Sequence, residues 1–513
     1  MPRHNSTWAE VRQLPLFVVL FGVSALSMFV PSLYGLVSRD LSAARAFLYA
    51  GLLGVIVSLM LAVVHLGRSG QRSPLGPLLS LLAAFIVLPV FFAVPFVEAL
   101  PTTRFVNAYV EMVSAATTTG ATLFENPERL NGTLHLWRAQ VAWMGGLLMW
   151  IAAVAILAPL HLGGFEVTAQ AEPGRVETAS RGRFDAPLST QQKVMRATRT
   201  LAPIYLGLTL LLWLLLLGGG EVPLTAICHA MSIMSTSGIS PIGGLENSAL
   251  SVTGEAVLLL FMLFALSRLT FSRDTITATQ GGLQTDPEFR LGIVIVLALT
   301  AMIFVRHYLG AFEVDASNDL RDGARALWGA AFTVMSFLTT TGFVSENWDA
   351  AQVWSGHGTS GLILAGLALI GGGVATTAGG VKLLRVFALY QNGTRELERL
   401  VHPSSVSSKG AAGRRLQSNG AFIAWIFFML LALALAGITL LFTLAGSSFE
   451  DALVLSVAGL STTGPLTQYA ADEPIRLIEL SLAGKAILTG AMVLGRLETL
   501  AIIALLTPDL WRA

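Results

Sequence analysis

Thr117-Thr118-Thr119-Gly120-Ala121-Thr122 is the stretch that decides the fold, because three similar stretches follow it. Each is a short run of Thr or Ser that ends in Gly, and the copies recur about every 100 to 120 residues, a regularity typical of an internal repeat. The later copies are Ser235-Thr236-Ser237-Gly238, Thr339-Thr340-Thr341-Gly342 and Ser461-Thr462-Thr463-Gly464. The sequence therefore predicts four repeated units around one axis.

A Thr/Ser run that ends in Gly suits a loop whose carbonyl groups all face one line. Gly permits the backbone angles that this needs, and the hydroxyl groups hold the loop from behind. Rings of such carbonyl oxygens replace the water around a dehydrated cation. A single copy is more often an ordinary turn, whereas four copies between long apolar runs favour a cation filter. The candidate filter residues are Thr118, Thr119, Gly120, Thr236, Ser237, Gly238, Thr340, Thr341, Gly342, Thr462, Thr463 and Gly464.

The composition is that of an integral membrane protein, since 54% of the residues are hydrophobic and only 12% are charged. Long apolar runs dominate over alternating segments, so the spans are predicted to be helices rather than barrel strands. The net charge of +1 gives no indication of a nucleic-acid partner. The single cysteine, Cys228, excludes a disulfide framework and a cysteine-built metal site, and we expect it to be a packed core residue.

An all-α membrane fold is predicted, with two N-terminal helices in region 1–75 followed by four M1–pore loop–M2 repeats that form a pseudo-fourfold ion pore. The predicted N-terminal helices are 14–37 and 46–66. The repeats occupy 76–199, 200–290, 291–417 and 418–513. Within each repeat two membrane spans flank a short pore helix, such as 104–116, and a Thr/Ser-Gly loop. The paired spans are 76–100 and 136–161, 200–219 and 251–271, 291–311 and 358–391, and 419–446 and 476–507.

Basic residues in the connecting segments predict the orientation. The links 162–199 and 381–420 carry six and seven basic residues, which favours the cytoplasmic side for both links and for both termini. Segments 219–255 and 312–357, which carry the second and third loops, are predominantly acidic and are expected to face outward. An acidic outer mouth would concentrate cations, although keeping positive charge inside explains the same bias.

The run Gly371-Gly372-Gly373-Val374-Ala375-Thr376-Thr377-Ala378-Gly379-Gly380 interrupts the return span of the third repeat. Five glycines in ten residues do not make a stable lipid-facing helix, and irregular backbone at this depth is tolerated only beside protein or water. We interpret the run as a flexible constriction below the filter, a gate with Lys382 at its lower edge. A close helix-packing surface is the alternative, but small residues on such a surface recur every fourth position.

Charged and polar residues within apolar segments are further candidates. Arg496, in Gly495-Arg496-Leu497-Glu498, either forms a positive barrier in the pore or extends its side chain to the cytoplasmic surface, and Lys485 and Arg268 share this ambiguity. Arg138 is expected to hold the outer mouth together through Glu111 or another acid. His229 is expected to be structural.

These motifs resemble the TrkH/TrkG/KtrB superfamily of potassium transporters, in particular its TrkH-like members with two extra N-terminal helices. The resemblance covers nearly the whole chain. It rests on the four Thr/Ser-Gly loops, Trp137-Arg138, Trp143-Met144-Gly145-Gly146, His229-Ala230-Met231, Gly379-Gly380-Val381-Lys382, Leu400-Val401-His402-Pro403, Lys485 and Leu494-Gly495-Arg496-Leu497-Glu498. The fourth loop departs from the usual Asn-x-Gly-Pro pattern and is closer to the other three loops.

The resemblance implies potassium as the transported ion, bound through backbone carbonyls, with no covalently bound cofactor. It implies an intramembrane gate, with Arg496 acting beside the glycine-rich run, and the resulting gate residues are Gly372, Gly373, Thr376, Thr377, Gly379, Gly380, Lys382 and Arg496. It also implies a homodimer in the bacterial inner membrane and a cytosolic RCK-type partner, similar to TrkA, that binds NAD, ATP or ADP. Members that favour sodium usually have Ser in place of the first-loop glycine, so Gly120 favours potassium.

The leading hypothesis is potassium uptake without enzymatic activity. The nearest alternative keeps this fold but makes the protein a sodium-permeable transporter or a symporter coupled to H⁺ or Na⁺. A membrane enzyme is disfavoured because the eight histidines are scattered and no paired-acid or HxxxH-type motif lies near the end of a span. A structural scaffold has no need for four similar polar loops in apolar surroundings.

Overall fold

The computed structural model of the chain describes residues 14–65, 76–160, 162, 190–267, 286–310, 320–355, 360–401, 419–471 and 473–498. The described residues form helices and loops, with no β-strand among them. Arg268 and the basic residues within 175–183 and 409–415 lie outside these ranges. The prediction of an all-helical fold is confirmed, whereas the predicted repeat boundaries stay predictions.

Seven described helical segments are long and apolar enough to cross a membrane. Their sides carry many exposed Leu, Val, Ile and Phe side chains, as expected where a helix faces hydrocarbon. The seven segments are Leu16–Val37, Leu41–His65, Gly76–Ala99, Gly132–Leu157, Thr190–Gly218, Pro287–Arg306 and Gly420–Leu444.

The remaining three predicted spans contain shorter helices. Val252–Met262 and Leu482–Leu497 belong to the second and fourth return spans, and the described chain ends soon after each of them. The third return span is two helices, Ser360–Ile370 and Leu383–Val401. Residues 371–382 between them form a loop, which we call the glycine-rich loop. The expected interruption of this span is therefore confirmed.

A pore helix precedes each Thr/Ser-Gly loop. Three of these helices are short, as predicted, but the third is 19 residues long because its helical pattern begins well before the apolar part. The pore helices are Phe105–Ala116, Pro223–Ser235, Leu320–Leu338 and Phe449–Leu460. We call the segments that follow them loops 1 to 4, namely residues 117–122, 236–240, 339–344 and 461–466.

Capping residues fix where the helices begin. The Asn131 side chain accepts a hydrogen bond from Leu134 N at 2.9 Å, and Ser481 accepts one from Gly484 N at 3.1 Å, so the first and fourth return helices start at defined positions. Ser448 caps the fourth pore helix in the same way. These caps set the depth at which each loop enters its helix pair.

The first span is interrupted at Met28, between helices Leu16–Ser27 and Phe29–Val37. Pro31 has no N–H group, so the Ser27 carbonyl loses its normal helical donor. Gln140 of the first return helix supplies a replacement, because its Nε2 donates to the Ser27 carbonyl at 2.8 Å. The N-terminal helices are thus joined to the first repeat by a buried hydrogen bond.

Candidate functional site

Loops 1 to 4 meet in a closed ring. Each loop approaches the next at its glycine, so closely that a side chain there would collide with neighbouring backbone or with Pro465. A β-carbon at Gly120 would lie 1.6 Å from the Ser237 carbonyl oxygen, one at Gly238 2.3 Å from that of Thr341, one at Gly342 2.8 Å from Pro465 Cγ, and one at Gly464 2.0 Å from Ala121 N. All four glycines also line one cavity. The structure thus brings the four predicted loops together.

The four loops share an unusual backbone conformation two residues before each glycine. Thr118, Thr236, Thr340 and Thr462 have φ angles of 54°, 52°, 56° and 54°, in the left-handed region. This region is strained for β-branched residues, at a cost on the order of 1–3 kcal/mol each, and such strain persists where the surrounding structure imposes it. Strained residues of this kind cluster at functional sites.

The fourth loop differs from the others at its glycine. Gly120, Gly238 and Gly342 have φ angles of 71°, 65° and 80°, whereas Gly464 lies outside the left-handed region. Pro465 follows with φ −57° and begins the short helix Leu466–Tyr469. Gly464 N donates to the Thr119 carbonyl at 2.6 Å. Loop 4 therefore shares the conformation of the other loops at Thr462 and differs from them at Gly464, where Pro465 follows.

Hydroxyl groups hold the loops to the ends of their pore helices, as the sequence predicts. Thr117 Oγ1 donates to the Val113 carbonyl at 2.8 Å and lies 2.8 Å from Thr119 Oγ1. Loop 3 repeats this arrangement, with Thr339 Oγ1 donating to the Met335 carbonyl and lying 3.0 Å from Thr341 Oγ1. These side chains point back toward the helix, so they stabilise the loop from behind.

A buried ion pair supports loop 1 on its outer side. Arg138 Nη2 lies 2.6 Å from Glu111 Oε1, and both side chains are almost fully buried. Glu111 also accepts a hydrogen bond from Leu123 N at 2.8 Å, and Arg138 donates to Thr122 Oγ1 at 2.9 Å. The predicted contact between Arg138 and Glu111 is confirmed.

A second buried carboxylate supports loop 3. Glu255, in the second return helix, accepts hydrogen bonds from Ser345 Oγ and Glu346 N, both at 2.8 Å, and from Trp328 Nε1 at 2.6 Å. Glu255 and Glu221 belong to the acidic segment 219–255 that is expected to face outward, and both side chains are buried. In the sequence, the position of Glu255 inside an apolar helix was the signal that could have predicted this supporting role.

The glycine-rich loop, residues 371–382, is closed at its base and docks against loop 3 and the second pore helix. Val381 N, Lys382 N and Leu383 N donate to the carbonyls of Leu369, Ile370 and Gly372 at 2.8 to 2.9 Å. Next to this base, Gly379 N donates to Thr340 Oγ1 at 2.8 Å, and nearer the middle of the loop Thr377 Oγ1 donates to the Met234 carbonyl at 3.2 Å. The loop therefore contacts the second and third repeats directly.

Arg496 also contacts the glycine-rich loop. Its Nη1 donates to the Thr377 carbonyl at 2.7 Å, and the side chain is 4% exposed. The alternative in which Arg496 extends to the membrane surface is therefore wrong, because its guanidinium is held by the loop. Lys485, in the same helix, donates to the Ile478 carbonyl at 2.8 Å and lies near the other end.

A further charged contact, for which no pattern in the sequence gave a prediction, lies beside the glycine-rich loop. Arg385 Nη2 lies 2.6 Å from Glu498 Oε2, and its guanidinium carbon lies 3.7 Å from the centre of the Phe427 ring. Lys382 is buried as well, with Nζ bonded to the Ala378 carbonyl. Lys382 and Arg385 of the third repeat and Arg496 of the last helix thus place three cations around the glycine-rich loop.

The sequence of this chain matches the model of the family described as "TrkH: Cation transport protein" over residues 83–510. The chain belongs to the TrkH family. It is therefore a multi-pass membrane transporter of cations and not an enzyme, in agreement with the apolar helices described above.

Relatives of this TrkH-family chain share its full length. It is 28% identical over 508 residues to the Trk system potassium uptake protein TrkH of Salmonella typhimurium, covering 98% of this chain and 99% of the relative. It is also 28% identical to the Trk system potassium uptake protein TrkI of Halomonas elongata, with coverage of 98% and 97%. The crystal structure of the potassium transporter TrkH from Vibrio parahaemolyticus has a TM-score of 0.77, at 24% identity and with coverage of 99% and 100%.

His229 and Cys228, for which the sequence predicts a structural role, make structural contacts in this TrkH-family protein. His229 is fully buried, with Nε2 3.0 Å from Ser240 Oγ and its ring against Phe343, and Cys228 is buried beside it. Among the described residues no group of three or more His, Cys, Asp or Glu side chains is arranged to hold a metal ion. Binding of a monovalent cation through backbone carbonyls needs no such group.

Proposed function

We propose that this protein takes up potassium ions across the bacterial inner membrane. The observation that carries the proposal is the closed ring of loops 1 to 4, with the same strained threonine in each loop. A ring of backbone contributed by four repeats surrounds one axis, which is the arrangement that dehydrated cations require. Relatives of similar length are named potassium uptake proteins, which supports potassium as the ion.

In this proposal the backbone carbonyls of loops 1 to 4 form the selectivity filter. The residues concerned are those before and at Gly120, Gly238, Gly342 and Gly464. The hydroxyl groups of Thr117 and Thr339, at the start of loops 1 and 3, bond to the pore helices, which leaves backbone oxygens for the ion. Potassium is the substrate here, and no resident cofactor is proposed.

The glycine-rich loop is proposed to be the gate. Its docking under the ring, through Gly379 and Thr377, supports this role because an ion that leaves the ring inward meets the loop next. Arg496 supports the closed arrangement through its bond to the Thr377 carbonyl. The other proposed gate residues are Gly372, Gly373, Thr376, Gly380 and Lys382.

We further propose that the protein is a homodimer with both termini in the cytoplasm, regulated by a cytosolic nucleotide-binding RCK protein. These assignments follow from the sequence resemblance and from the basic links. Co-purification with a TrkA-like protein, and protease accessibility of tags at the two termini, would test them.

Uptake of ⁸⁶Rb⁺ into liposomes at a fixed membrane voltage tests the transport proposal. Voltage-driven Rb⁺ entry that K⁺ blocks and Na⁺ does not block is the expected result. Equal competition by Na⁺ would overturn potassium selectivity and favour a sodium-permeable protein. Rb⁺ entry that requires a pH or Na⁺ gradient would indicate a symporter of the same fold.

A further inference from the structure

We propose that Thr340 is a positioning residue that couples the third loop of the ring to the glycine-rich loop. This inference rests on the proposed gate role of that loop. Thr340 lies in loop 3, and its Oγ1 accepts the hydrogen bond from Gly379 N at 2.8 Å. One side chain thus joins the ring that is proposed to select the ion to the segment that is proposed to block it.

The corresponding threonines of the other loops do not make this contact. Thr236 Oγ1 donates to the Ser235 carbonyl at 2.7 Å, and the hydroxyls of Thr118 and Thr462 are buried without a hydrogen-bond partner. All four threonines share the same left-handed backbone. The ring is therefore asymmetric at these four threonines. Of the four, Thr340 is the one that bonds to the glycine-rich loop.

The space around Gly379 makes this contact specific. A β-carbon on Gly379 would lie 2.1 Å from the Ser461 carbonyl oxygen and 2.3 Å from Thr462 Oγ1. Gly379 is thus buried between loops 3 and 4, and its N–H bonds to Thr340. Without the Thr340 hydroxyl, this buried N–H loses its acceptor, which penalises the docked position.

The consequence is a direct link between gating and the ring. Displacement of the glycine-rich loop breaks the bond to Thr340 and frees its hydroxyl at the inner side of loop 3. Because coupling between two sites is reciprocal, any change in loop 3 that reorients Thr340 also shifts the position of the glycine-rich loop. Thr340 therefore acts on the gate through Gly379 and does not need to touch the ion there.

Three variants test this assignment by Rb⁺ flux into liposomes without any added partner protein. Thr340→Val keeps the shape of the side chain and removes the acceptor, so we expect flux to rise by about fivefold through a destabilised docked loop. Thr340→Ser keeps the hydroxyl and should restore flux to within about twofold of the wild type. Thr439→Val makes the same chemical change at a buried threonine of helix Asn419–Leu444, outside the ring and the glycine-rich loop, and no rise is expected.

A second readout does not depend on conduction. Cys228 is the single cysteine, so Cys228→Ala combined with Thr376→Cys leaves one thiol on the glycine-rich loop. We expect a cationic methanethiosulfonate reagent to modify this thiol faster in the Thr340→Val background than in the Thr439→Val background.

The two failures are distinguishable. Absence of Rb⁺ flux in the wild type at every voltage would count against the transport proposal. If the thiol is still modified faster in the Thr340→Val background, the contact between Thr340 and Gly379 remains supported. Equal labelling rates and equal flux in Thr340→Val and Thr439→Val would overturn the coupling role of Thr340.

Discussion

Glu111 and Arg138 form an ion pair of 2.6 Å that joins the first pore helix to the first return helix, and the pair is nearly inaccessible to solvent. Breaking a buried pair leaves an uncompensated charge, at a cost of about 3–5 kcal/mol. We therefore expect Arg138→Gln to lower the thermal unfolding midpoint in detergent clearly. Arg476→Gln is the matched control, because its pair with Glu479 is largely exposed and contributes at most about 1 kcal/mol. Equal midpoints for the two variants would contradict the supporting role of Arg138.

Gly120→Ser is expected to weaken discrimination between K⁺ and Na⁺. Gly120 has a positive φ angle and lies against the Ser237 carbonyl, so any side chain strains loop 1 and separates it from loop 2. Competition of Na⁺ with ⁸⁶Rb⁺ uptake measures the change. Gly366→Ser is the control, because a β-carbon there meets no neighbouring atom within 4 Å. Unchanged discrimination in Gly120→Ser would count against the filter assignment.

Glu255→Gln is expected to reduce selectivity through loop 3. The carboxylate accepts three hydrogen bonds, and an amide replaces one accepting oxygen with a donor, so a donor of the Ser345–Glu346 turn is left unpaired. The measurement is the same Na⁺ competition. Glu346→Gln changes an exposed side chain next to that turn and should leave selectivity within about twofold of the wild type. Identical behaviour of the two variants would show that Glu255 does not position loop 3.

Arg496→Ala is expected to raise Rb⁺ flux in the absence of a partner protein. The change removes the hydrogen bond to the Thr377 carbonyl and with it a contact that holds the glycine-rich loop under the ring. A hydrogen bond from a charged donor contributes about 1.5–3 kcal/mol, which corresponds to more than about tenfold in the population of a displaced loop. Lys485→Ala removes a cation from the same helix that does not contact the loop and serves as the control. A flux no higher than that of Lys485→Ala would contradict the proposed role.

The sequence was sufficient for the helical membrane fold, for the position of loops 1 to 4 and for the interruption of the third return span, because these features have strong local signals. A Thr/Ser run ending in Gly and five glycines in ten residues are visible without any tertiary information. The contact between Arg138 and Glu111 was also predictable, since a charge within an apolar span requires a partner.

Tertiary contacts determine the features of the site that local sequence patterns did not predict. Glu255 and Glu221 are acids in outward-facing segments by charge pattern, yet folding buries them against loop backbone and Ser hydroxyls. The conformation of Gly464 depends on Pro465 and on the Thr119 carbonyl of a loop more than 300 residues away in the chain, which no local pattern contains. The pairing of Arg385 with Glu498 also joins distant residues, which lie 113 positions apart in the chain.

The three backbone hydrogen bonds at the base of the glycine-rich loop have a mechanical consequence. They join the end of helix Ser360–Ile370 to the start of helix Leu383–Val401, and the glycine-rich loop projects from this junction. A displacement of helix Leu383–Val401 along its axis is transmitted to helix Ser360–Ile370 through these hydrogen bonds. The residues of the loop itself are not needed to transmit it. The two halves of the third return span are therefore held together independently of the loop residues that project from this junction.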